Sequence, residues 1–302
     1  MKTVLVTGAN GFIGRHCLAL LLERGYEVHA VSLKATEESS LGVHWHKVDL
    51  LESGRVSELV SKVQPTHLLH FAWYTVPGEY WTSLENVHWV QASLTLLEAF
   101  ARTNGQRIVV AGSCAEYDWS YGYCIESKTP LSPDSIYGVC KRSLQAMCDV
   151  FSRKLGISFA WGRIFFLYGP YEHPERLVSS VIRSLLQDKP ARCSHGKQIR
   201  DYLYVEDVAE AFVALLESNV QGPVNIASGC PVALKDIIHG IAVKLNREDL
   251  IQLGAMAPRS NDPRLLVADI SRLRDEVGWR RKCGLDRGLE ETITWWRTYL
   301  RL

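Results

Sequence analysis

Apolar residues along the chain alternate between two rhythms. Residues 2–7 form a short run rich in β-branched side chains, and residues 12–23 repeat Ile13, Cys17, Leu18, Leu21 and Leu22 at helical spacing. After Gly25 a second strand-like run covers 26–31, so the opening predicts a strand, a helix and a strand. The pattern continues with strands at 43–48, 67–71, 107–111 and 157–161 and with helices at 56–63, 83–102 and 136–154. Strands separated by helices predict a parallel, doubly wound sheet. Beyond Arg163 the rhythm is less regular: a strand at 199–205, a helix at 208–216, a strand at 224–227, a helix at 234–245 and terminal helices at 270–277 and 285–299. The expectation is an α/β fold in which residues 1–165 form the sheet domain. Residues 166–302 then form a smaller α/β substrate lobe interleaved with it.

A chain of 302 residues suits this division at about 150 residues per domain. Lys and Arg number 34 against 33 Asp and Glu, a net +1, so no overall field favours nucleic acid or an anionic membrane and any cationic site is local. No stretch approaches the roughly 18 apolar residues of a membrane span. The first residues run straight into a strand and lack a signal peptide's longer apolar run and cleavage site. Eight cysteines include no Cys-x-x-Cys pair and mostly lie in apolar patterns, which predicts buried thiols and a cytoplasmic protein.

The first turn reads Thr7-Gly8-Ala9-Asn10-Gly11-Phe12-Ile13-Gly14, three glycines between a strand and its helix. Glycine permits the unusual backbone angles of the turn, lets backbone N–H groups approach a pyrophosphate, and lets the helix pack close to the sheet. Gly8, Asn10, Gly11, Phe12, Ile13 and Gly14 are therefore candidate dinucleotide-binding residues. At the end of the second strand, where NAD-binding folds place an acidic residue on the ribose, stands Ser32, with Lys34 two residues on. The missing carboxylate and nearby cation favour NADP(H), although Lys34 also reads as an ordinary loop lysine and Arg15 as either a phosphate partner or a surface residue. Asp49, beside Leu50, is placed to meet the adenine or to cap its own loop. Phe71 and Ala72, at the end of the fourth strand, complete the expected cofactor wall.

Tyr137-Gly138-Val139-Cys140-Lys141 opens a predicted helix, and the i, i+4 spacing puts Tyr137 and Lys141 on one face. A lysine cation and an oxidised nicotinamide favour the phenolate and draw a tyrosine towards useful acid/base range. Lys141 is also a candidate partner for the nicotinamide ribose.

With these motifs the whole chain resembles the extended short-chain dehydrogenase/reductase family, the NAD(P)-dependent epimerase/dehydratase group, and in particular its nucleotide-sugar branch. Gly112-Ser113-Cys114-Ala115-Glu116-Tyr117 matches the family segment after the fifth strand, which implies that Ser113 joins Tyr137 and Lys141 in a catalytic triad and touches the substrate. Arg163-Ile164-Phe165-Phe166-Leu167-Tyr168-Gly169-Pro170 and Gly196-Lys197-Gln198-Ile199-Arg200-Asp201-Tyr202 resemble later family elements. They imply a substrate diphosphate held by Arg200 and, in a loosely aligned loop, by Arg259 with Arg264 as a competitor. Guanidinium groups suit that task through bidentate bonds to phosphate.

Departures from the family pattern narrow the reading. Family dehydratases follow the Ser/Thr with an Asp-Glu pair, where this chain has Cys114 and Ala115, so dehydration is not expected; Glu116 lies one position late, reachable only if the loop shifts. Phe166 and Trp89 stand where family epimerases carry asparagines. The resemblance then implies NADPH-dependent reduction of an NDP-4-keto-6-deoxyhexose at its 4-keto group. The alternatives are an NAD-dependent nucleotide-sugar 4-epimerase and a non-catalytic dinucleotide sensor. Relatives pair through the two long helices, implying a homodimer. Trp73, Tyr74, Pro77, Tyr80 and Trp81 form an aromatic loop that either covers the nicotinamide or stacks on the sugar, or else packs as core or lid without touching substrate, and Trp295-Trp296 reads as core. His44 and His46 share one face of a strand, but with no third ligand at clear spacing no metal site is expected.

Overall fold

Short strands buried on both faces set the architecture of the protein, seen in a computed structural model that describes residues 2–33, 42–103, 105–257 and 262–302. In chain order the strands are β1 (Thr3–Thr7), β2 (Glu27–Ser32), β3 (Val43–Lys47), β4 (His67–His70), β5 (Arg107–Ser113), β6 (Tyr123–Cys124) and β7 (Ser158–Ile164). They are followed by β8 (Phe166–Tyr168), β9 (Ala191–Cys193), β10 (Ile199–Tyr204), β11 (Gly222–Ile226), β12 (Pro231–Ala233), β13 (Ile251–Leu253) and β14 (Leu265–Ala268). The helices are α1 (Gly14–Glu23), α2 (Ser53–Val63), α3 (Glu85–Arg102), α4 (Ile136–Leu155), α5 (Leu177–Leu186), α6 (Val205–Glu217), α7 (Leu234–Leu245) and α8 (Leu285–Leu300).

The large sheet has the order β11-β7-β5-β4-β1-β2-β3, and every pairing in it is parallel. This is the Rossmann-type, doubly wound sheet expected. The pleat sends Val4 and Val6 of β1 into one apolar layer with Leu21 of α1 and Phe212 of α6, and sends Leu5 into the other with Leu96 and Phe100 of α3. The chain runs outward from β1 in both directions, to β2 on one side and β4 on the other. A crevice therefore opens where those strands end, at Thr7 and His70.

After Ile164 most of the chain builds a second sheet, β12-β10-β14-β6 with β8 beside β10, in which only β6 comes from earlier in the chain, and a separate apolar cluster from α5, α7 and α8. Strand β11 and helix α6 instead return to the large sheet. Helix α5 is not among the helices expected above, although its apolar residues repeat at helical spacing. Its buried stripe of Val178, Val181, Ile182 and Leu185 follows Arg176, which makes no side-chain cap, so no start signal announces it. The helix expected at 270–277 is only a five-residue π turn, Arg272–Glu276, and α6 begins at Val205, immediately after β10. Six cysteines are buried, Cys140 is half-buried and Cys230 exposed, and all eight are free thiols. Among the described residues no helix is long and apolar enough to cross a membrane.

Gly112 shows how tightly the layers close. A Cβ on it would overlap the indole of Trp161 on the neighbouring strand β7. Gly112→Ala is expected to cost about 1–3 kcal/mol through overpacking, read as a lowered urea midpoint at constant slope.

Candidate active site

The crevice is floored by the glycine turn. Gly8 sits at φ +66°, and a Cβ there would come within 2.8 Å of the Ala72 backbone nitrogen, so Phe71 and Ala72 lie directly against it. A Cβ on Gly14 would overlap the Gly8 carbonyl, and Gly11 donates its N–H to that same carbonyl at 2.9 Å. Helix α1 starts from Ile13 with no side-chain cap and no acidic residue in its first turn. The Arg15 and His16 N–H groups already bond the Gly11 and Ile13 carbonyls, so the N–H groups of Phe12, Ile13 and Gly14 and the positive dipole end are what the turn offers an anion, beside Asn10 and Gly11. Arg15 clamps this turn from the side: Nη2 donates to the Asn10 carbonyl at 2.6 Å, and the guanidinium lies 3.8 Å over the Tyr171 ring.

Around this turn, Ser32 is buried at the end of β2 and its carbonyl accepts the Val48 N–H. Lys34 lies outside the described residues. Asp49 Oδ1 accepts the Leu51 N–H at 2.9 Å, the loop-capping role, while Leu50 is buried beside it. Beneath the turn, His70 bridges Thr7 Oγ1 at 2.6 Å and Ser93 Oγ at 2.9 Å. Burial holds that imidazole neutral, its pKa pulled down to about 3.

The second wall is the start of α4. Ser135 caps it by accepting the Gly138 N–H at 3.1 Å, and Gly138 carries no side chain where the Ala115 carbonyl presses close. Tyr137 and Lys141 thus point from one buried face toward the end of β5. There Ser113 is fixed by a capping box: its N–H donates to Glu116 Oε1 at 2.7 Å and its Oγ accepts from the Ala115 N–H at 3.2 Å. The Tyr137 phenol hydrogen-bonds the Ser113 side chain. Lys141, 3 % exposed, donates Nζ to the Ala111 carbonyl at 2.9 Å and sits 3.7 Å over the Trp73 ring.

Burial acts on both groups. It pushes the Tyr137 phenol above its ordinary pKa, with Tyr80 adding to the rise and the Ser113 hydrogen bond opposing it. It pulls the Lys141 amine down to about 7, against the attraction of Glu116. The result is a protonated phenol beside a hydroxyl, enclosed by the Tyr80 and Trp81 rings at 4.9 and 5.7 Å. Such a pair can hand a proton to an oxygen that gains charge, or take one back.

The chain matches the model of the NAD dependent epimerase/dehydratase family over residues 4–227. It belongs to that family. This makes it an enzyme of the extended short-chain dehydrogenase/reductase type, dependent on NAD(P). It is 27 % identical to UDP-glucuronate 4-epimerase 1 of Arabidopsis thaliana, over 98 % of this chain and 77 % of that protein. It is 26 % identical to CDP-abequose synthase of Salmonella typhimurium, over 96 % of this chain and 97 % of that one. The structure of Thermus thermophilus UDP-glucose 4-epimerase with NAD superposes with a TM-score of 0.83 at 27 % identity, covering 98 % and 99 % of the two chains. The glycine turn fits the dinucleotide of this family, since its crowded glycines and open helix end leave room and donors for a pyrophosphate.

In this epimerase/dehydratase family member Glu116 is committed to structure. Its Oε2 accepts from Arg163 Nε at 2.7 Å and its Oε1 from Trp161 Nε1 at 2.8 Å, with both charged side chains at 1 % exposure or less. The loop shift that would bring it into the cleft has not occurred. Arg200, 2 % exposed, donates to Asp262 at 2.5 Å and to the Ile199 carbonyl. Arg259 lies outside the described residues, and Arg264 is exposed. The aromatic loop closes over the cleft through Trp73, Tyr80 and Trp81, and the Trp81 Nε1 donor is buried with no partner among the described residues.

Two contributors were not read from the sequence. Arg176, at the start of α5, hydrogen-bonds Tyr80 and lies 5.3 Å from its ring, and its charge reaches Tyr137. Tyr202 lies within the fields of Arg176, Arg200 and buried Glu172. Arg176 comes from the start of α5 and Tyr202 from β10, and no local pattern in the sequence records that the two meet here.

Glu116→Gln leaves the Arg163 charge buried and unpaired, a loss of about 3–5 kcal/mol expected in urea denaturation. The pH–rate profile of the surviving enzyme keeps its shape. A lost limb in that profile would instead make Glu116 an acid or base.

Proposed function

We propose that the enzyme reduces the 4-keto group of an NDP-4-keto-6-deoxyhexose, using NADPH. The observation that carries this reading is the buried Tyr137–Ser113 pair with Lys141 beneath it, in a cleft where Glu116, the carboxylate next to Ser113 in the chain, is held by Arg163 and is not available as a second acid or base. Ser113 holds the carbonyl oxygen, and Tyr137 gives it a proton as negative charge builds there. Lys141, anchored on Ala111, orients the ribose next to the nicotinamide and stabilises the phenolate that remains. NADPH, when bound, supplies the hydride. In this assignment residues 1–165 hold the cofactor and 166–302 the sugar nucleotide. Arg200 and Arg259 meet the diphosphate, which competes with Asp262 for the Arg200 guanidinium.

The cofactor assignment rests on Ser32, which leaves the end of β2 without the carboxylate that would repel a 2′-phosphate. Lys34 then supplies a cation. A second reading, an NAD-dependent 4-epimerase, is favoured by the two 4-epimerases among the relatives above. We also propose a homodimer through α3 and α4, which leave Val87, Val139, Val150 and Phe151 exposed.

Purified protein given NADPH and a panel of NDP-4-keto-6-deoxyhexoses is expected to oxidise one NADPH per sugar reduced, followed by absorbance. Interconversion of two sugar nucleotides with no net cofactor change would establish the epimerase instead. Tyr137→Phe should lower turnover by about 10²-fold or more while retaining NADPH binding. Ser32→Asp should invert the preference, weakening NADPH and strengthening NADH in equilibrium titrations; an unchanged ratio would remove Ser32 from cofactor choice.

A further inference from the structure

At the opposite end of the large sheet from the crevice, near the starts of β2 and β3, the register gathers three histidines and a carboxylate. His29 of β2 pairs directly with His44 of β3. Glu27 lies two residues before His29 and His46 two after His44, so the alternation of the strands puts all four on one face. Spacing along the chain showed only the His44 and His46 pair; strand pairing supplies the rest.

Three lone-pair atoms converge there. Glu27 Oε1 lies 3.5 Å from His29 Nε2 and 3.9 Å from His44 Nε2, and all three atoms lie within 4.8 Å of one another. Ligand atoms around a tetrahedral ion with bonds of about 2.0–2.2 Å sit roughly 3.4 Å apart, so small side-chain rotations close the set.

The surrounding atoms support these three. Glu27 Oε2 accepts from Thr3 Oγ1 at 3.0 Å, which leaves Oε1 aimed at the histidines. His29 Nδ1 lies 2.9 Å from His46 Nε2, so the ring can keep its proton on Nδ1, donate it to His46, and present Nε2 bare. The three rings stack, His29 on His44 at 4.8 Å and on His46 at 5.1 Å, which restrains their orientation. Because β3 is the edge strand and the His44 side chain is 59 % exposed, an ion has a path in and room for water at its remaining positions.

We propose that Glu27, His29 and His44 form a binding site for a divalent transition-metal ion of the zinc type, with Thr3 and His46 as orienting partners. Two imidazoles and one carboxylate suit a borderline cation and exclude a Ca²⁺ or Mg²⁺ preference, which calls for oxygen ligands. The site ties the edge strand to β2 and, through Thr3, to β1. It is remote from Tyr137 and independent of the function proposed above.

The test uses tag-free, chelator-treated full-length protein, titrated with Zn²⁺ by calorimetry and with Co²⁺ by visible absorption. The expected result is a single ion per chain, a Co²⁺ band with nitrogen and oxygen ligation, and a higher melting temperature with metal. His44→Ala and Glu27→Gln, both at partly exposed positions, should abolish the band and the thermal shift, and His46→Ala should weaken affinity about 10–100-fold. Failure of the unaltered protein to bind either ion, or binding that survives both His44→Ala and Glu27→Gln, would overturn the proposal; thiolate-type Co²⁺ absorption would place the ion on a cysteine instead.

Discussion

The ion pair between Glu116 and Arg163 holds the rest of the catalytic architecture in place. Both groups are buried, so neither has water to fall back on, and the carboxylate is satisfied only by collecting donors from three directions: the Ser113 backbone, the Trp161 indole and the Arg163 guanidinium. Arg163 in turn donates to the Tyr117 hydroxyl at 3.0 Å, and Tyr117 donates to Asn225 on β11 at 2.7 Å. Such a pair adds little net stability over an apolar substitute, but losing one half of it is costly. Its effect here is positional. It pins the turn after β5 to β7 and β11, and that turn fixes the stance of Ser113 and the surface on which α4 docks.

The sequence made much of this legible, for physical reasons. The glycine turn is local, because its spacing, the strand before and the helix after are one contiguous stretch. Tyr137 and Lys141 are legible because helical periodicity alone puts them on one face. Arg176, His70 and the Trp73 ring over Lys141 depend on which element packs beside which, and no local pattern records that. The strands β6, β12 and β14 are two to four residues long, too short for alternation to show; β12 and β14 form on the two edges of β10, and β6 forms on β14 in turn. Glu116 was the instructive ambiguity. Its position in the chain left a shifted loop open, and only the burial of Arg163 beside it shows where the carboxylate went.

Charge is distributed differently from what the near-neutral total suggested. Several cations serve as internal fasteners. Arg107 is buried and donates to Ser158 and to the carbonyls of Leu215 and Val220, joining β5 to the end of α6. Burial draws the Lys141 amine down to about 7, and Arg200 already has Asp262. What the glycine turn offers an anion is mostly main-chain N–H dipole, which needs no formal charge and is insensitive to pH.

Strand β11 gives the fold a temporal order. The large sheet is not complete until residues 222–226 add to β7, long after the other six strands have been synthesised. Asn225 on that strand is the last member of the chain of bonds that runs through Tyr117 and Arg163 to Glu116. A nascent chain that has folded its first six strands would still lack α6, whose Phe212 packs with Val4, Val6 and Phe71 behind the glycine turn, as well as the anchor of its catalytic turn. The glycine turn and the catalytic turn would therefore reach their final form together, and a product stalled before α6 would have neither fully supported.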